Sequence, residues 1–168
     1  AIIVDADADL EEAVKGVWTA AFGYQGQKCS ACSRAIVHEA VYDEFLNQLK
    51  ASVAKITVGP AEDPANCMGP VINEGARKNI LKYIDTGKKE GRLISGGEAA
   101  PGDGYFIQPT VIADVEPDAK IFQEEIFGPV LAVTRARDFD HALELDNTSE
   151  YGLTGAAYTR DAGKIEKA

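Results

Sequence analysis

Three short apolar runs, Ala1-Ile2-Ile3-Val4, Ala35-Ile36-Val37-His38 and Val130-Leu131-Ala132-Val133-Thr134, limit what this chain can fold into. Each is apolar on successive residues, the pattern of a strand buried in the interior of a sheet. Between the first two runs, Leu10, Ala13, Val14, Val17, Trp18 and Ala21 recur at three- and four-residue intervals, the stripe of a helix with one buried face that Asp9 can cap. After the second run, Tyr42, Phe45, Leu46, Leu49, Val53 and Ile56 trace another such stripe. Strands separated by helices require crossover connections. The fold class is therefore α/β: an open, twisted, mainly parallel sheet with helices on both faces.

The remaining pattern agrees. Asn73 can cap a helix running to about Glu90, and Gly96-Gly97 and Pro101-Gly102-Asp103-Gly104 bracket strands over Arg92–Ser95 and Tyr105–Val115. A short helical stretch follows at Ile121 to Glu124, then a helix from Asp140 to about Asp146 and a strand from Thr154 to Thr159. Asp5-Ala6-Asp7-Ala8-Asp9 lacks the central glycine and distal glutamate of a calcium loop and reads as a helix entry. No repeat or linker divides the 168 residues, which fit one domain. The chain opens without an initiator methionine and closes on a charged helical stretch with no C-cap glycine, the expectation for a chain truncated at both ends.

Composition excludes several classes of function. No apolar run approaches the ~20 residues of a membrane span, and no signal peptide precedes the first strand. A net charge of −10 with scattered basic residues repels a phosphate backbone, so no nucleic acid is expected. Three cysteines are too few and odd in number for a disulfide framework, which points to a reducing, cytoplasmic setting.

Chemistry concentrates in the segment Gly23 to Arg34, a loop between the first helix and the second strand. Two glycines near Cys29 let backbone approach a ligand, and a cysteine thiolate suits a reaction that passes through a covalent adduct. From the residues alone, Cys29 is a nucleophile or a small buried hydrophobe. Cys29 and Cys32 also form Cys-x-x-Cys, which opens the alternatives of a thiol-redox couple, half a zinc site, or a non-catalytic structural piece. The remaining ligand types, Cys67, His38 and His141, are scattered, so no metal is expected, and Cys32 and Cys67 read as packing residues. Gly152-Leu153-Thr154-Gly155 lacks phosphate-loop spacing and reads as a close backbone approach at a strand start.

The segment Gly26-Gln27-Lys28-Cys29, followed by Ser33-Arg34, resembles the active-site cysteine signature of the aldehyde dehydrogenase superfamily. Glu124-Glu125-Ile126-Phe127-Gly128-Pro129-Val130 and Tyr151-Gly152-Leu153-Thr154-Gly155-Ala156 extend the resemblance across essentially the whole chain. With Ser30 directly after the cysteine, the nine-residue string is similar to the branch of that family acting on glutamate 5-semialdehyde, the open form of 1-pyrroline-5-carboxylate.

The resemblance implies NAD-dependent oxidation of a small aldehyde to a carboxylate, with Cys29 as nucleophile and its backbone N–H as one oxyanion donor. It implies that Ser30 contacts the substrate carboxylate, that Glu125 accepts hydrogen bonds from the nicotinamide ribose, and that Phe127 packs near the nicotinamide. It further implies that residues 1–168 are a partial catalytic domain of a homo-oligomeric enzyme. The nucleotide-binding domain and the general base of a Glu-x-Gly-Gly-Lys segment are not among these residues, so the chain by itself is expected to be inactive.

Overall fold

A computed structural model describes all 168 residues. Six strands, β1 (Ile2–Val4), β2 (Arg34–His38), β3 (Arg92–Ser95), β4 (Thr110–Ala113), β5 (Val130–Ala136) and β6 (Ala156–Tyr158), form one sheet in the order β3-β4-β5-β2-β1-β6. Every pairing is parallel except β3 with β4, as the helix-separated runs required.

Side chains of successive residues leave a strand on opposite faces, and the three apolar runs fill both. Ile2, Val4, Ala35, Val37, Leu131 and Val133 pack against α1 (Leu10–Phe22) and α2 (Tyr42–Val53). Ile3, Ile36, Val130, Ala132 and Ala136 face the other way, onto α3 (Glu74–Glu90), α4 (Lys120–Gln123) and α5 (Phe139–Asp146).

Local capping sets the helix starts. The Asp9 carboxylate accepts from the Glu12 N–H at 3.3 Å, and the Asn73 side chain accepts from the Ala76 N–H at 2.8 Å. The Asp138 carboxylate accepts from the His141 N–H at 2.8 Å, so α5 begins at Phe139, one residue earlier than the pattern suggested. The strand expected over Tyr105–Val115 narrows to Thr110–Ala113, because Pro109 has no N–H to donate. The residues before it pair with Glu98–Ala100, through Ala100 N–H to Phe106 and Gln108 N–H to Glu98, and the Tyr105 carbonyl accepts from the Val71 N–H. The last strand narrows in the same way, from Thr154–Thr159 to Ala156–Tyr158. A final helix, α6 (Ala162–Lys167), has no buried residue and is tied to the rest of the fold by ion pairs of Lys164 with Asp5 and Lys167 with Asp140.

Candidate active site

Gly23–Gly26 follow α1 as a tight turn in which Tyr24, Gln25 and Gly26 all take left-handed backbone angles, with φ of 54°, 58° and 66°. The chain then makes a second turn, closed by the Ala31 N–H donating to the Lys28 carbonyl at 3.0 Å. Cys29 and Ser30 are its two central residues, and both are exposed. Directly after it the backbone is fixed again, by the Cys32 N–H donating to the Ala20 carbonyl at 3.1 Å.

The two cysteines of Cys-x-x-Cys therefore face opposite environments. Cys29 is a free thiol open to solvent. Cys32 lies in the core behind the loop, its Sγ donating to the Arg34 carbonyl at 3.3 Å, and burial pushes its thiol up to about 11. A thiol held protonated is a poor partner in a redox couple. No group of three or more His, Cys, Asp or Glu side chains stands close enough to share a metal ion.

Cys29, Glu125 and Phe127 line one cleft of about 190 Å³. Glu125 is exposed, and Phe127, with φ 55°, is 43% exposed. Phe127 and Ile126 also wall a neighbouring cleft of about 450 Å³. Ser30 faces solvent outside the first cleft's lining.

The remaining walls come from residues to which the sequence assigned no role in the site. Arg34 is buried, its guanidinium donating to the Asp146 carbonyl at 3.4 Å and lying 4.9 Å from the Phe122 ring centroid. Burial pushes this guanidinium down from its ordinary value, against the pull of Asp146. Glu124, likewise assigned no role from sequence, lines the cleft and accepts from the Tyr83 hydroxyl at 2.6 Å. That bond, with burial, raises the Tyr83 phenol to about 12.

The Tyr151–Thr154 segment closes one side of the cleft. Its glycines are not forced by close packing: a Cβ at Gly152 would meet nothing within 4 Å, and one at Gly155 would meet only ordinary contacts at 3.9 Å. The close-approach reading of this segment is thereby corrected.

A second correction concerns Cys67, which is exposed rather than packed. Its neighbour Met68 takes the buried position, and Thr57 ties down the Cys67 N–H through both its carbonyl and its hydroxyl at 3.0 Å. Hydrogen bonds from Thr57 lower the Cys67 thiol below its ordinary value.

The cleft has a definite place in the fold. Its walls are the segments that lead into β1, β2, β5 and β6, so it sits at the amino edge of four parallel strands. Open parallel sheets more often bind ligands at the carboxyl edge.

The aldehyde dehydrogenase family model matches residues 1–168. The 1-pyrroline-5-carboxylate dehydrogenase of Geobacillus thermodenitrificans is 55% identical over 168 residues, which are all of this chain and 33% of that protein. That of Bacillus subtilis is 53% identical over 167 residues, 99% of this chain and 32% of that protein. The crystal structure of 1-pyrroline-5-carboxylate dehydrogenase from Thermus with bound NAD superposes with a TM-score of 0.97 at 47% identity, covering 99% of this chain and 32% of that one. The chain thus spans about a third of the length of these relatives.

Proposed function

The chain belongs to the aldehyde dehydrogenase family, and from that premise we propose that it carries the nucleophile-bearing part of an NAD-dependent enzyme oxidising glutamate 5-semialdehyde to glutamate. In this reading residues 1–168 are part of the catalytic domain of a homo-oligomeric cytoplasmic enzyme of proline breakdown. The observation that supports it most is the shared cleft: an exposed thiol on a tight turn, with an exposed carboxylate and an exposed aromatic on the same walls.

The Cys29 thiolate attacks the aldehyde carbon, forming a C–S bond while the carbonyl electron pair moves to oxygen. The Cys29 N–H donates to that oxyanion. A bound nicotinamide dinucleotide supplies the acceptor for the hydride that leaves this carbon. The carbonyl then re-forms as a thioester on Sγ, and attack by water breaks the C–S bond to give the carboxylate and the free thiol. The proton from that water goes to a general base outside these 168 residues.

The residues present fit the cofactor. Glu125 at the cleft wall is an acceptor-only group when ionised, suited to paired ribose hydroxyls, and Phe127 offers an exposed apolar face for a planar ring. Ser30, next to the nucleophile on the same turn, is the group for the substrate carboxylate, reached from the solvent side of that turn. The runner-up, a thiol-redox couple of Cys29 and Cys32, loses ground because Cys32 is buried and held protonated.

The test is an assay of the full-length protein with NAD and glutamate 5-semialdehyde, following NADH. Cys29→Ala is expected to abolish turnover while Cys32→Ala retains it, and the 168-residue chain alone is expected to release no NADH. Turnover surviving in Cys29→Ala overturns the reading.

A further inference from the structure

The turn bearing Cys29 is preceded by strained backbone. Left-handed angles at Tyr24 and Gln25, neither of them glycine, are disfavoured for a residue with a Cβ and persist only where surroundings over-determine them. Beside the backbone contact of Gly26 with Gly128, side-chain restraints come from a segment 45 residues away. The Gln27 Oε1 accepts from the Ile72 N–H at 2.9 Å. The Gln25 amide, in the orientation that satisfies both its ends, accepts from the Gly69 N–H at 2.7 Å and donates to the Tyr24 carbonyl at 3.0 Å. Two neighbouring glutamines thus fasten the strained turn to Gly69–Ile72.

Gln27 is the last of these tethers before the reactive turn, and Cys32 is the first anchor after it. Between them Lys28–Ala31 are held by a single internal bond, the one closing the turn. With Gln27 released, the Cys29 turn would keep on its upstream side only the Gln25 tether and the contact of Gly26 with Gly128, both farther along the chain from the thiol, while the strain before it could relax into it. A displacement of the nucleophile by about 1 Å is enough to cost about 100-fold in rate.

We infer that Gln27 is a positioning residue for Cys29: its amide oxygen, bonded to the Ile72 N–H, holds the strained turn so that the thiol keeps its place in the cleft. The inference rests on the proposed role of Cys29. The bond needs only an acceptor at the end of the side chain, so Glu serves in place of Gln, and Met, of similar length, does not.

The test compares Gln27→Met, Gln27→Glu and Cys29→Ala in the full-length protein, by steady-state assay with NAD and glutamate 5-semialdehyde and by thermal unfolding. Gln27→Met is expected to lower kcat by about 10- to 100-fold with KM for NAD within about 2-fold. Gln27→Glu is expected to recover kcat to within about 3-fold of the parent. Unchanged kcat in Gln27→Met, or equal impairment in Gln27→Glu, overturns the inference. So does failure of both Gln27→Met and Gln27→Ala to fold, which assigns the residue to stability alone; if only Gln27→Met fails, Gln27→Ala is read by the same criteria. Full activity in Cys29→Ala sinks the functional reading itself, whereas loss there beside a fully active Gln27→Met sinks only the positioning role.

Discussion

A Cβ placed on Gly26 would stand 2.2 Å from the carbonyl oxygen of Gly128, so the loop carrying the thiol and the loop carrying Glu125 and Phe127 meet backbone to backbone. Only a residue without a side chain allows that approach, and φ of 66° at Gly26 makes the same demand independently. The contact explains how an exposed thiol and an acid so far apart in the sequence come to share one cleft.

Gly26→Ala is therefore expected to destabilise the protein by about 2 kcal/mol or more, from left-handed strain added to a clash with main chain that cannot swing away. Gly23→Ala, three residues earlier with φ −55° and nothing within 4 Å of its Cβ, is expected to stay within about 0.5 kcal/mol of the parent. Urea unfolding midpoints of the two variants check the contrast. Equal midpoints would show that the loops are not in backbone contact.

The three thiols should separate by reactivity. Cys29 and Cys67 are exposed, and Thr57 lowers the Cys67 thiol, so iodoacetamide at pH 8 is expected to label both in the native protein. Cys32, pushed up to about 11 by burial, should present a thiolate fraction of only about one part in a thousand at that pH, and should label only after unfolding. Peptide mass mapping reads all three sites at once. Labelling of Cys32 in the folded protein would refute its placement behind the loop.

In the proposed reading Glu125 holds the cofactor, and its substitution should then move binding of NAD before it moves chemistry. Hydrogen bonds to a charged acceptor contribute about 1.5–3 kcal/mol, so Glu125→Leu in the full-length protein is expected to raise KM for NAD by about 10- to 100-fold. Glu125→Gln keeps an acceptor oxygen but loses the charge and should fall between. Steady-state kinetics with NAD varied provide the check; a fall in kcat with KM for NAD unchanged would assign Glu125 to another task.

Much of this was legible in the sequence because the signals are local. Consecutive apolar residues at Ile2–Val4, Ala35–Val37 and Val130–Val133 gave the buried parallel strands, and Asp9 and Asn73 gave two helix starts. The motif resemblance picked out Cys29, Glu125 and Phe127, and these three line one cleft. What was not legible depends on contacts between distant segments: the bond from Tyr83 to Glu124, the approach of Arg34 to Phe122, and the location of the cleft at the amino edge of the sheet. The misreading of Cys67 has the same root. Cys67 and Met68 are equally apolar by type, and only the closure of their loop by Thr57 decides which one turns inward.

The outermost helix yields a prediction about pH. Having no buried residue, α6 is held largely by charge, and its Lys164 bonds at 2.5 Å to the carboxylate of Asp5, which is 1% exposed at the end of β1. Burial alone would raise the Asp5 carboxyl, but hydrogen bonds from Lys164, the Ala6 backbone and Thr159 outweigh it and leave the group below its ordinary value. Lys164 is correspondingly raised, chiefly by its hydrogen bond to Asp5. A lowered carboxyl contributes stability that is present above its unfolded value of about 3.9 and lost as pH falls through the folded value. A raised ammonium contributes stability that is present below about 10.4 and lost as pH rises through its folded value. Lys164→Met should therefore cost about 2 kcal/mol at pH 7, where both groups are charged, and progressively less below about pH 4. Amide hydrogen exchange should show α6 as the element most loosened at pH 7 in that variant. A stability difference that does not shrink in acid would mean that Asp5 and Lys164 are not coupled.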